Sequence, residues 1–214
     1  MTYYSQYEQD KLIYEVILKK PVAGFVLDIG AMCGVRISNS KFFEDIGWNG
    51  LLVEANPKQL EKLAKNRKWD RVEKAVVPNN FVDDQVEFLA FDIDQWGEGL
   101  SGILQNYDLQ HRKRIAAEQA QGYIKRIPDP VQVPVIRMKD LLEKCPKVID
   151  ILSIDIEGGE LNLLKSIDFM KYKIKVITVE NNYNNPFYKT YLEGQNFTLY
   201  RNLDFDEIYV NNCL

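Results

Sequence analysis

Apolar positions fall into two periods along this chain. Over residues 9–18, Leu12, Ile13, Val16 and Ile17 recur on one helical face, and Pro21 with Gly24 closes that helix ahead of a solid apolar run at 25–29. A turn containing Gly30 and Gly34 leads into a helix over 38–46 that Gly47 stops, and 50–54 reads as a second strand. Asn56-Pro57 combines an N-cap with a proline at the first helical position, and Leu60, Leu63 and Ala64 give the following helix its buried stripe. Strand, helix, strand, helix is the order of a parallel sheet.

A third strand is predicted at 72–77 and an added strand at 86–91. The stretch 92–102 is polar and contains glycine, with Trp96 at its centre, and reads as a mobile loop beside a ligand site. Residues 108–126 read as a polar, partly basic helix, expected as a solvated surface helix, with a lid or substrate-contacting element as the alternative. Together these make a loop/helix insert at 92–130. The uninterrupted apolar run at 148–154 marks a strand covered on both faces and ends at Asp155. The next helix begins after Glu157-Gly158-Gly159, and a strand at 174–179 ends at Glu180-Asn181. Pro186 opens a helix closed by Gly194, and 197–200 with 207–210 form a terminal antiparallel pair. The expected fold is α/β: a doubly wound, mostly parallel, seven-stranded Rossmann-like sheet in a single domain, 1–214.

Composition narrows the class. At 214 residues the chain suffices for one substantial core. A hydrophobic content of 46% with a net charge of −4 fits a globular protein, and no apolar run approaches the ~20 residues that cross a bilayer. Met1 to Gln6 lacks a basic and an apolar leader region, so the expected compartment is cytoplasmic. Cys33, Cys145 and Cys213 are odd in number and widely spaced, which reads as reduced thiols, not a zinc site. The acidic balance argues against nucleic acid, although His111-Arg112-Lys113-Arg114 and Lys125-Arg126 are locally basic and keep an RNA-modifying alternative open. His111, the single histidine, sits in that basic helix and is expected at the surface.

Candidate chemistry gathers at strand ends. Asp28, Glu54, Asp155 and Glu180 each follow an apolar run, so the fold collects four acids on one rim. Asp28-x-Gly30 followed by Gly34 lacks the G-x-G-x-x-G spacing that holds a pyrophosphate, and an acid there suits a cationic ligand. Glu54, twenty residues beyond Gly34, suits a carboxylate that accepts from both ribose hydroxyls. An adenosine cofactor with a positive centre meets both demands, and S-adenosylmethionine is one. Asp155 or Glu157 could act as general base, while Asp155, Glu180 and Asn181 together suit Mg²⁺ or another hard divalent cation at the acceptor oxygen.

Ser5-Gln6-Tyr7-Glu8-Gln9-Asp10, Val26-Leu27-Asp28-Ile29-Gly30-Ala31, Ser38-Asn39-Ser40, Gly47-Trp48-Asn49-Gly50, Glu54-Ala55-Asn56-Pro57, Leu152-Ser153-Ile154-Asp155-Ile156-Glu157-Gly158-Gly159-Glu160 and Val179-Glu180 occur in one order and spacing. In them the chain resembles the FkbM family of adenosylmethionine-dependent methyltransferases over nearly its whole length. The resemblance implies a class I methyltransferase fold and O-methylation of sugars, glycans or glycosylated metabolites. It implies that Asp28, Gly30 and Ala31 line the methionine end of the cofactor, that Glu54 and the following Ala55 and Asn56 hold the adenosine, and that Asp155 faces the methyl. Gln6, Gln9, Asp10, Ser38 and Asn39 would close the pocket, and Glu157 and Glu180 join Asp155 in catalysis. The family commonly carries Asn and an acid where this chain has Met32-Cys33, and His where it has Asn181, which shifts the base to Asp155 or a metal. The Met32-Cys33 departure keeps a non-catalytic binding or scaffold protein as a further alternative.

Overall fold

A computed structural model of the chain describes residues 1–91 and 99–213. Two sheets organise it. The first has seven strands in the order β10 (Phe197–Leu203), β11 (Asp206–Asn211), β9 (Lys173–Glu180), β8 (Val148–Ile154), β1 (Phe25–Ile29), β2 (Asn49–Val53) and β3 (Asp70–Val72). Neighbours from β9 to β3 run parallel, and β11 is antiparallel to both β9 and β10. This is the doubly wound sheet with its terminal antiparallel pair.

Alternation along the strands explains its two packed faces. Leu27 and Ile29 enter a core with Leu152, Ile154, Ile177 and Leu163, whereas Val26 points the other way to meet Ile13, Phe42, Trp48 and Ile151. The chain runs outward from β1 to β3 and then returns to β8 on β1's other side, so the strand order reverses between β1 and β8. Ligands of such sheets sit at the carboxyl ends beside that reversal. There the backbones approach closely: Asp155 N donates to Ile29 O at 2.9 Å, and a Cβ on Gly30 (φ +98°) would fall 1.7 Å from Asp155 O. Only glycine fits.

The second sheet departs from expectation. The strand predicted at 72–77 breaks at Glu73-Lys74: β3 stays in the main sheet, and β4 (Ala75–Val77) leaves it to pair parallel with β7 (Val131–Arg137). β5 (Gln85–Leu89), the added strand, pairs antiparallel with β7 and with β6 (Gly102–Ile103). β7 was not foreseen, because Gln132 and Pro134 interrupt its apolar run and a proline argues against a strand. Its register places Val133 and Val135 against Val86, Phe88 and Ile103 in a small core of their own.

Helices are shorter than their periodicity suggests. The first is α1 (Gln9–Lys11) continued by a π-helical turn (Leu12–Ile17); the crossovers are α2 (Lys41–Asp45) and α3 (Leu60–Asn66). The insert carries α4 (Leu109–Ala120), followed by α5 (Met138–Leu142), α6 (Glu160–Leu164) and α7 (Phe187–Gly194). The loop expected around Trp96 lies outside the described residues over 92–98. No described helix is long and apolar enough to cross a membrane.

Candidate active site

A cavity of about 410 Å³ opens at the carboxyl rim of the main sheet. Its floor is Ile29-Gly30 from β1 and Val53 to Asn56 from the end of β2, and its apolar wall is Val76, Phe88 and Ile103 from the second sheet. Asp155, Glu157, Glu180 and Asp206 supply its acidic end, and Arg114 reaches in from α4. That size lies in the range of about 300–1,000 Å³ of small-molecule sites.

Glu54 is 7% exposed, and its two oxygens are fixed by backbone donors: Met32 N to Oε2 at 2.6 Å and Asn56 N to Oε1 at 2.7 Å. Each oxygen keeps a lone pair for a ligand hydroxyl. Burial raises its carboxyl to about 7 against the pull of those N–H groups. Met32 takes up φ +48° to deliver its N–H, and Cys33 O accepts from Asn66 Nδ2 at 2.8 Å, so the contacts this turn makes to Glu54 and Asn66 run through backbone atoms. Beside Glu54 on the cavity wall, Gln59 is 1% exposed, and among the described residues neither its Nε2 nor its Oε1 has a hydrogen-bond partner. A buried amide left unpaired is costly. An adenosine, with ribose hydroxyls for Glu54 and mixed donors and acceptors for an amide, fits this wall.

At the other end, ligand oxygens of Asp155, Glu157 and Glu180 all lie within 4.8 Å of one another. Burial first, then the charges of Asp206, Glu160 and Asp28, push Asp155 to about 8, although a hydrogen bond with Glu180 pulls the other way. Glu157 and Glu180 are raised well above the ordinary carboxylate range by burial and by neighbouring acids, with Arg114 opposing the rise at Glu157. Glu157 sits at φ +57° ahead of Gly158 and Gly159, also at positive φ, a strain worth about 1–3 kcal/mol that aims its side chain into the cluster. Arg114 Nη1 stands 3.5 Å from Glu157 Oε2, and Asn182 Nδ2 donates to the same oxygen at 3.3 Å. Crowded acids of this kind call for a cationic partner.

Of the residues singled out in the sequence, Gln6, Gly30, Glu54, Ala55, Asn56, Asp155, Glu157 and Glu180 meet at this cavity. Others sit behind it. Asp28 is buried below the turn, where it accepts from Ser40 Oγ; burial raises its carboxyl, while Ser40 and the Arg67 charge lower it. Ala31 packs with Ile13 and Phe42. Ser38 Oγ accepts from Ser40 N and Lys41 N at the start of α2, and Asn39 Nδ2 donates to Ser153 Oγ at 3.2 Å. The Gln9 amide donates to Asp206 Oδ2, and Asp10 accepts from the backbone N–H groups of Tyr4 and Ser5. These six brace the site from outside the cavity lining. Asn181 leaves the metal set: its Oδ1 accepts from Asn185 N at 2.8 Å, and its Nδ2 donates to Asn185 O and Glu207 Oε1. Glu157 takes its place.

His111 corrects the expectation of a surface histidine. It is 3% exposed, packed against Tyr107 with ring centroids 4.2 Å apart and the rings tilted by 39°, and held near 4 chiefly by burial and by Arg114. It is therefore neutral, and its 3.6 Å approach to Glu157 Oε2 is not an ion pair. Sequence reasoning also missed Asp206, Gln59 and Arg114. Asp206 is reached only through the antiparallel register that sets it opposite Glu180. Burial pushes it to about 6 against the Gln9 hydrogen bond.

A strand-order reversal, a buried acid at the second strand end and an acidic cluster one strand away define a nucleotide-cofactor site of the doubly wound class. The model of the methyltransferase FkbM domain matches residues 28–209, and the chain belongs to that family. No curated protein matches it. Among solved structures it is similar to two structures of the METTL16 MTase domain, one of them in crystal form 2, at 14% and 12% identity with TM-scores of 0.45 and 0.46. These cover 95% of this chain, which spans 64% and 66% of theirs. It is also similar to the fibrillarin/Nop5p complex, at 13% identity and a TM-score of 0.43, covering 96% of this chain and 83% of that one.

Proposed function

We propose that the protein transfers a methyl group from S-adenosylmethionine to a hydroxyl oxygen of a sugar, glycan or glycosylated metabolite. The observation that supports this best is Glu54 and Asp155 at opposite ends of one cavity, on strands that flank β1. Adenosylmethionine supplies an electrophilic methyl on a positive sulfur. Glu54 accepts from the ribose hydroxyls, and Gln59 meets the adenosine with its unpaired amide. Asp155, held against Gly30, offers negative charge where the sulfonium would lie. Glu157 or Glu180 receives the acceptor's proton as the carbon–oxygen bond forms and the carbon–sulfur bond breaks, leaving a neutral thioether. Proton transfer of this kind contributes about 10²–10⁴-fold, and fixed placement of the reactants much of the rest.

Calorimetry with adenosylmethionine and adenosylhomocysteine, followed by labelled methyl uptake across a panel of monosaccharides and glycosides, tests the reading. Absence of binding to either ligand removes its basis, and uptake that survives Asp155→Ala removes the assigned role. The second reading keeps the same transfer but lets Asp155, Glu157 and Glu180 hold Mg²⁺ at the acceptor oxygen, favoured by their mutual approach within 4.8 Å. Activity indifferent to both EDTA and added Mg²⁺ eliminates it.

A further inference from the structure

Among the described residues, Ile37 is the one β-branched side chain at positive φ, +48°, and it lines the cavity while remaining 39% exposed. A branched Cβ in that backbone region is strained, and strain of this kind collects where ligands are gripped. On the same lining Phe205, in the turn between β10 and β11, is 49% exposed. Neither side chain belongs to the hydrophobic cores, so packing does not account for them. Both are held through the backbone: Ile37 bridges Ser5, and Phe205 O accepts from Asn181 N at 2.6 Å. Residues 5–9 join the two, since Ser5 lies against Ile37 and the Gln9 amide donates to Asp206 Oδ2, next in the chain to Phe205. Gln6, within that stretch, also lines the cavity. This lip stands at the acidic end, because the β11–β9 register sets Asp206 opposite Glu180.

Resting on the methyltransferase reading, we infer that Ile37 and Phe205 grip the methyl acceptor, and that this acceptor is a glycoside whose apolar aglycone lies on them while its sugar hydroxyl enters toward Asp155. A single exposed apolar side chain means little. Two on the rim of one catalytic cavity, one of them held under backbone strain, select for apolar surface at the point where the acceptor enters. A bare polyol leaves both side chains in water and gains little from them. An aromatic or aliphatic aglycone covers both and removes apolar surface from water on each side of the contact. Deeper in the cavity the lining turns to carboxylates, which accept from sugar hydroxyls. The order of the walls, apolar outside and acceptor-rich inside, thus matches a glycoside entering sugar first.

The test uses the whole chain saturated with adenosylhomocysteine, titrated by calorimetry or saturation-transfer NMR with phenyl β-glucoside and methyl β-glucoside, which differ only in the aglycone. The phenyl glucoside binds more tightly by about tenfold, as partial burial of one ring supplies. Phe205→Ala removes that preference and leaves the affinities for methyl glucoside and adenosylhomocysteine unchanged. Ile37→Asn narrows the preference and raises the urea midpoint, because asparagine adopts positive φ at lower cost. A residue with a structural role alone does not couple weaker binding to a gain in stability. Equal binding of the two glucosides, binding of neither, equal losses of both in Phe205→Ala, a preference that survives both substitutions, or a urea midpoint that falls in Ile37→Asn overturns the inference while adenosylhomocysteine binding still upholds the parent reading. Failure of adenosylhomocysteine to bind overturns both.

Discussion

On the proposed reading, cofactor charge and the Asp155 carboxyl are linked, and the linkage has a computable size. Adenosylmethionine carries a positive sulfur and adenosylhomocysteine a neutral one, so the ratio of their affinities isolates the contribution of that charge. Burial and neighbouring acids hold Asp155 at about 8, so it is largely protonated in the free protein near neutrality. A sulfonium about 5 Å away, the scale of the carboxylate spacing, attracts the ionised form by about 3 kcal/mol at an effective dielectric of about 20. That lowers the carboxyl by somewhat over two units in the complex, one unit being about 1.4 kcal/mol. The preference for adenosylmethionine over adenosylhomocysteine then grows from about threefold at about pH 6 to about a hundredfold at about pH 8, because binding releases a proton that is already lost at higher pH. Calorimetry of both ligands across that range, in buffers of different ionisation enthalpy, reads the ratio and the proton release together. A ratio flat with pH, or a slope that persists in Asp155→Asn, refutes the linkage.

Glu54→Gln is expected to weaken both ligands equally, by about 2 kcal/mol or thirtyfold, since it removes charge-assisted bonds to a ribose they share; unequal losses in parallel titrations count against the ribose role. The ligand-free protein is most stable at mildly acid pH. Glu54, Asp155 and Asp206 keep their protons to about 7, 8 and 6, whereas the unfolded chain releases them near 4, so their stabilising contribution is complete below that and fades as pH rises through the higher values. Urea midpoints measured across this interval should fall, and Asp155→Asn should flatten the decline. Arg67→Met should destabilise the fold by about 2–3 kcal/mol in denaturant titration. Its side chain is buried, with Nε donating to Glu44 Oε2 at 2.9 Å and Nη1 to Gly34 O and Ser40 Oγ, so its removal leaves Glu44 only Lys41 and the backbone N–H groups of Lys68 and Trp69 and loosens the turn behind Asp28.

By itself the sequence determined the parallel sheet, the glycine turn after β1 and the acids at the strand ends, because each follows from local chemistry: an apolar run covered on both faces, a strand running into a glycine-containing turn, a carboxylate at the first solvated position. Glu54 and Asp155 were legible for that reason. Tertiary structure decided what depends on partners distant in the chain. It sent β4 out of the main sheet to meet β7, turned Asp28 away toward Ser40, spent Asn181 on its own turn and exchanged it for Glu157, and brought Asp206 beside Glu180 through an antiparallel register. It also buried His111 and drew Arg114 to the acids from a helix whose composition is that of a solvated surface. A side chain's residue type fixes which bonds it can make, but only the packed fold fixes which of them are already taken.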